Sequence, residues 1–205
     1  MLIRSAEVGT FAANCYLVAC EETRAGVIID PGAEARTILE MVAKEKIKVQ
    51  YIINTHGHVD HVGANEEVRR ALGVPLLIHE ADGEMCKKPH ASLSAFLGKL
   101  QLAAPDRLLT DGETLTVGNL TVEVIFTPGH TKGGISLLID GALFTGDTLF
   151  AGSIGRTDFP GGSSEQIIRS IKARLLVFPD DTPVYPGHGP RTTIGEEKKY
   201  NPFLR

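Results

Sequence analysis

The sequence predicts an α+β sandwich made of two βα halves, their sheets face to face and their helices outside. Short apolar runs precede amphipathic helical patterns twice along the chain, and no Pro-, Gly- or Ser-rich linker separates the two halves. The 205 residues at 42% hydrophobic content can fill a core shared by both sheets. A single domain over residues 1–205 is therefore expected.

In the first half, Leu2–Val8 and residues 15–20 and 26–30 have the length and apolar content of strands. Residues 33–46 place Ile38, Leu39 and Val42 on one helical face. Residues 49–54 read as a buried strand that stops at Thr55-His56-Gly57-His58. A helix over about 63–72 and a strand at 75–78 follow, and residues 80–104 give a mixed signal of short helical pieces and loop.

The second half begins near Pro105. Residues 113–117, Leu120–Phe126, Ile135–Ile139 and residues 142–145 read as strands, with Gly118-Asn119 and Asp140-Gly141 as turns. Ser163 and Gln166 have capping-box spacing at the head of a helix reaching about Leu176. Residues 182–185 form a last strand, and Thr193-Ile-Gly-Glu196 opens a further helix.

Composition excludes several classes. With 21 Lys and Arg against 25 Asp and Glu the net charge is −4, and no basic run offers a nucleic-acid footprint. The three cysteines, Cys15, Cys20 and Cys86, form no Cys-x-x-Cys, which argues against a disulfide framework and a thiolate zinc site. Cys15 and Cys20 alternate with apolar residues and read as core or edge thiols. No stretch reaches the roughly 18 apolar residues of a membrane span, and Glu7 interrupts the one apolar run near the start, so no secretory signal is read. The expected compartment is the cytoplasm. Nothing in the sequence fixes an oligomeric state.

The chemistry concentrates where strands end. His56, His58, Asp60 and His61 fall within six residues, followed by His130 in Thr-Pro-Gly-His-Thr, Asp147 in Thr-Gly-Asp-Thr and His188 in Pro-Gly-His-Gly. Gly or Pro brackets the later three, as suits rigid polar side chains on solvated loops. Without a cation, such a cluster would leave imidazoles and carboxylates competing for partners. Imidazole nitrogen and carboxylate oxygen are ligands for zinc, iron or manganese. Five histidines and two aspartates exceed one four-coordinate ion, so the arithmetic favours two divalent metals, three ligands each and one carboxylate between them. Zinc is the first expectation, with iron or manganese as alternatives. His79 and His90 read as structural or solvated.

Thr55-His-Gly-His-Val-Asp-His61, continued in order by His130, Asp147 and His188, resembles the Thr-His-x-His-x-Asp-His signature of the metallo-β-lactamase superfamily. The resemblance implies a four-layer αβ/βα sandwich with the metals at one edge of the sheets. It assigns His56, His58 and His130 to one metal, Asp60, His61 and His188 to the other, and Asp147 to the bridge.

Within the superfamily, Thr145-Gly-Asp-Thr-Leu-Phe150, Gly155-Arg-Thr-Asp-Phe159 and the ending from Thr192 to Phe203 are similar to short bacterial glyoxalase II-like hydrolases. β-Lactamases of the superfamily carry Cys or Ser where Asp147 stands, which counts against antibiotic hydrolysis. Flavodiiron proteins carry Glu in place of His58. The chain ends 17 residues after His188, so the C-terminal helical region through which glyoxalase II contacts glutathione is not expected.

The activity implied is hydrolysis of a small-molecule thioester such as S-lactoylglutathione by a hydroxide bridging two cations, with Asp60 and Asp147 as the catalytic carboxylates. Arg156 and Lys132 are the candidate substrate residues. Arg156 alternatively forms a buried pair with Asp158 that pins its loop, and Lys132 alternatively is a solvated lysine. The Gly155–Phe159 motif is shared with persulfide dioxygenases, so a mononuclear-iron persulfide dioxygenase is the alternative activity. Hydrolysis of a lactone or other small ester comes next, and a metal-dependent binding module without turnover is the non-enzymatic alternative.

Overall fold

In the computed structural model, which describes residues 1–86 and 102–205, β1 (Leu2–Val8), β2 (Ala13–Ala19) and β3 (Ala25–Ile29) pair antiparallel. After β3 the chain crosses over through α1 (Ala35–Glu45) to β4 (Lys48–Asn54). It then runs through a helical turn, α2 (Val59–Val62), and α3 (Asn65–Leu72) to β5 (Leu76–His79) and β6 (Arg107–Leu109). Strands β3 to β6 pair in parallel, completing a six-stranded sheet in chain order. Parallel neighbours need such long crossovers, which place α1 and α3 on one face.

The second sheet begins with the antiparallel run β7 (Thr114–Val117), β8 (Leu120–Phe126), β9 (Ile135–Ile139) and β10 (Ala142–Gly146). A small hairpin, β11 (Leu149–Phe150) with β12 (Ser153–Ile154), leads to α4 (Ser164–Ser170), which continues as a π-helical turn over Ile171–Leu175. Strand β13 (Pro183–Pro186) then inserts parallel beside β10, followed by β14 (Thr192–Thr193) and α5 (Ile194–Tyr200).

The alternation along β2 explains the layering. Tyr16 and Val18 enter a cluster between the sheets with Ile29, Ile53, Val122, Leu137 and Phe144. Their neighbours Cys15, Leu17 and Ala19 face the helices, against Ile38, Val42 and Val68. On the far side Ile167, Ile171, Leu175 and Ile194 cover Leu143 and Val184. The order is helix, sheet, sheet, helix, and the α+β sandwich holds. Each fully buried Leu, Ile or Phe contributes about 1.5–3 kcal/mol, so these clusters outweigh exposed pairs such as Arg36–Glu40, for which about 0–1 kcal/mol is typical.

Several elements differ from expectation. The stretch after Pro105 does not open the second half, because Arg107–Leu109 extends the first sheet beside β5. Three residues with Leu109 alone buried show no readable alternation. The helix expected over 63–72 starts at Asn65, and a separate turn, Val59–Val62, precedes it. The helix from Ser163 changes to π geometry at Ile171, and the β11–β12 hairpin, two residues per strand, left no sequence pattern. Ser163 and Thr193 do cap their helices, their hydroxyls accepting from Gln166 N and Glu196 N at 3.3 Å each. His79 ends β5 and stacks on Phe126, a structural position, whereas His90 lies outside the described residues. No helix among the described residues is long and apolar enough to cross a membrane.

Candidate metal centre

The loops after β3, β4, β8, β10 and β13 meet at one edge of the sandwich. The two sheets are tied there by an isolated bridge between Ala13 and His188. Asn14 reinforces it, donating from Nδ2 to the Pro186 and Gly189 carbonyls at 3.0 and 2.9 Å, while the Tyr16 hydroxyl donates to the Pro186 carbonyl at 2.7 Å.

Strand β4 delivers Thr55 and His56 to this edge, and the α2 turn presents Asp60 and His61 on its inner side. Ligand atoms of His56, His58 and His130 lie within 4.8 Å of one another, as do those of Asp60, His61 and His188. Asp147 stands against both groups. Its Oδ2 is 3.4 Å from His130 Nε2 and 3.6 Å from His188 Nε2, and its Oδ1 is 3.3 Å from His61 Nε2. All seven residues singled out as ligands thus converge.

The backs of the rings are held by the protein. His130 Nδ1 donates to the Arg156 carbonyl at 2.7 Å, His188 Nδ1 to the Phe11 carbonyl at 3.1 Å and His61 Nδ1 to Asp30 Oδ2 at 3.0 Å. That turns each Nε2 lone pair toward the centre, the orientation outer hydrogen bonds give to metal-binding imidazoles. His56 Nε2 is buried with no hydrogen-bond partner, and His58 Nδ1 faces His130 Nε2 across 2.8 Å. An orphaned buried nitrogen beside two converging ones is what a cation resolves, so the donor set fits divalent metals.

The electrostatics agree. Burial, then the neighbouring imidazoles, keeps His56 well below the usual histidine range, and burial with His130 pushes His58 down to about 4. For Asp60 and Asp147 burial works against ionisation but is outweighed, by His188 and His61 for Asp60 and by His61 for Asp147, and both carboxyls are lowered. Burial opposes charge on His61 as well, yet Asp147 and Asp30 outweigh it and raise its pKa. The neutral imidazoles of His56 and His58 and the ionised carboxylates of Asp60 and Asp147 are ligand forms.

Asp30 was not anticipated from the sequence. It is buried at the end of β3 with φ +53°. Besides His61, it accepts from Thr55 N at 2.7 Å and Thr55 Oγ1 at 2.6 Å. A carboxylate in Asp-Pro-Gly directly after a fully apolar strand is the one sequence signal that could have flagged it. Asp30→Asn is expected to weaken metal binding by the Asp60–His61–His188 group by about 10- to 100-fold, the usual cost of losing an outer-shell partner. Metal titration by calorimetry checks this, and unchanged affinity would remove Asp30 from that role.

The cleft over the centre has a volume of about 440 Å³, with Phe11, Phe150, Ile154 and Phe159 as apolar walls and Arg156 at its side. Arg156 does pair with Asp158, at 2.7 Å through two nitrogens, but the pair is exposed rather than buried because it sits at the cleft's rim over the Phe159 ring. Lys132 is exposed on the β8–β9 loop near Gly161 and is not among the residues lining the cleft.

Residues 8–188 match the family model described as the metallo-β-lactamase superfamily. A Haemophilus influenzae relative named hydroxyacylglutathione hydrolase GloC is 38% identical over all of this chain and 98% of its own length. A Bacillus subtilis relative named probable metallo-hydrolase YqgX is 35% identical, over 98% of this chain and 96% of its own. Among solved structures, the B3 metallo-β-lactamase BLEG-1 superposes with a TM-score of 0.93 at 36% identity, covering 99% of both chains. ETHE1 from Myxococcus xanthus gives 0.84 at 31% identity, over 98% of this chain and 84% of its own. TTHA1623, solved in a di-iron-bound form, gives 0.87 at 35% identity, over 98% of this chain and all of its own.

Proposed function

The chain belongs to the metallo-β-lactamase superfamily, and from that footing we propose that it is a two-metal thioester hydrolase acting on S-lactoylglutathione or a related acyl-thiol. The observation that carries this reading is the pair of triads with the Asp147 carboxylate set against both. The full-length likeness to a named hydroxyacylglutathione hydrolase supports the substrate class.

His56, His58 and His130 would hold one ion, Asp60, His61 and His188 the other, with Asp147 between. Zinc, iron and manganese all suit this nitrogen and oxygen set; when bound, the ions supply Lewis acidity and water acidified toward neutrality. Asp60 Oδ2, 3.4 Å from His188 Nε2 and partly exposed to the cleft, would orient the attacking water, one proton of which ends on the departing thiolate. Water adds at the acyl carbon, the C–S bond breaks, and a carboxylate and a thiol leave. The thiolate departs readily because thiols are fairly acidic. The apolar wall keeps bulk water from the acyl group, and Arg156 offers a cation for an anionic substrate tail once it exchanges out of its pair with Asp158.

The likeness to ETHE1 favours a second reading, an iron-dependent persulfide dioxygenase on the same ligand set. One experiment separates the two. Metal-replete protein is expected to hydrolyse S-lactoylglutathione and to consume no oxygen with glutathione persulfide. Oxygen uptake without thioester turnover would replace the hydrolase by the oxygenase, and a β-lactam serves as control, with slower turnover expected because an aspartate stands at position 147.

A further inference from the structure

Asp82 belongs to neither triad, yet it is completely buried and both its oxygens are committed to main chain. Oδ2 accepts from Gly57 N at 3.0 Å and Oδ1 from Gly133 N at 2.6 Å. Gly57 sits between His56 and His58, and Gly133 lies on the loop that carries His130. One carboxylate therefore ties together the two loops that bear the whole His56–His58–His130 triad.

The contact is built closely. A Cβ at Gly133 would fall 2.5 Å from Asp82 N and 2.6 Å from Oδ1, and one at Gly57 would fall 2.5 Å from Met85 Cβ. The carboxylate itself is presented by the 3-10 turn Glu80–Asp82, whose start is capped by His79 Nδ1 accepting from Ala81 N at 3.3 Å. Two backbone donors from separate loops meeting on one buried side chain make it a clamp between those loops. The other triad is braced from elsewhere, by Asp30 behind His61 and by Asn14 on both sides of His188.

We propose that Asp82 is a positioning residue for the His56–His58–His130 triad: it sets the metal affinity of that triad and leaves that of Asp60, His61 and His188 unchanged. This rests on the reading of the site as a metal centre.

The test is zinc titration of the metal-free full chain by calorimetry, with circular dichroism to verify folding. Asp82→Asn keeps one acceptor but turns an amide N–H₂ toward the other backbone N–H, opening half of the clamp. Gly133→Ala disturbs the same contact from the opposite side, crowding Asp82 while leaving its carboxylate chemically unchanged. Wild type is expected to bind two ions. Each variant is expected to keep one at wild-type affinity and to bind the other about 10- to 100-fold more weakly. Adding His188→Ala to Asp82→Asn should then remove the remaining tight ion, whereas adding His130→Ala should not. Equal weakening of both ions, or wild-type affinity for both in the two folded variants, overturns the proposal. So does failure of both variants to fold, which would make Asp82 a residue of the fold alone. Wild-type protein that binds no ion would instead overturn the metal-centre reading itself.

Discussion

Metal-replete Asp60→Ala is expected to turn over S-lactoylglutathione about 10²–10⁴-fold more slowly than wild type, the range for losing a positioned acid–base group, with its fold intact. Asp60 lies on the α2 turn, and its side chain is 19% exposed, enough to reach a substrate yet too little to be a solvated surface group. Its neighbours are His188 Nε2 at 3.4 Å and His61 Nε2 at 3.8 Å, so truncation removes a centre-facing oxygen and leaves the aliphatic clusters untouched. His58→Ala is expected to behave alike, through loss of a nitrogen from the other triad. The measurement is kcat at saturating metal, with ion content determined on the same sample. Near-native turnover in a fully loaded Asp60→Ala variant would exclude Asp60 from catalysis.

Gly187→Ala should be as damaging although it deletes no ligand. The added methyl would lie 2.3 Å from Asp147 Oδ1, 2.8 Å from His61 Cε1 and 2.9 Å from the Gly146 carbonyl carbon. None of these can yield cheaply, because His61 is completely buried and held through Asp30, and the Gly187 carbonyl is fixed by Asn14 N at 2.7 Å. Overpacking of this kind costs about 1–3 kcal/mol of stability, which a domain of this size survives. The expected result is a folded protein that loses metal on dialysis and whose turnover falls at least about 100-fold, comparable to loss of a catalytic group. Wild-type metal content and turnover would mean that the edge of the sandwich is far softer than its close contacts indicate.

The seven candidate ligands were legible because each breaks a local pattern. His56, His58, Asp60 and His61 follow an apolar strand within one short stretch, and His130, Asp147 and His188 sit on Gly- or Pro-bracketed turns directly after strands. The residues that orient them were not. Asp30, Asp82 and Asn14 act on atoms distant along the chain, and Asp82 and Asn14 act on main-chain groups, which every residue possesses and no sequence advertises. Arg156 shows the same gap: its Asp158 partner was readable from spacing, but not that the pair stands exposed on the rim beside Phe159.

By itself the sequence determined the longer strands and helices, since those follow from periodicity over several residues, and which side chains could ligate a cation, since that follows from residue type. Strand β6, the β11–β12 hairpin and the α2 turn were too short to read. Only the tertiary structure decided that Arg107–Leu109 closes the first sheet and that β13 inserts beside β10. It alone put Asp147 against both triads and brought Asp30, Asp82 and Asn14 onto the segments that carry them. Those features depend on contacts between segments tens of residues apart, where hydrogen-bond geometry and the space left by a missing Cβ, not local pattern, select one arrangement from many.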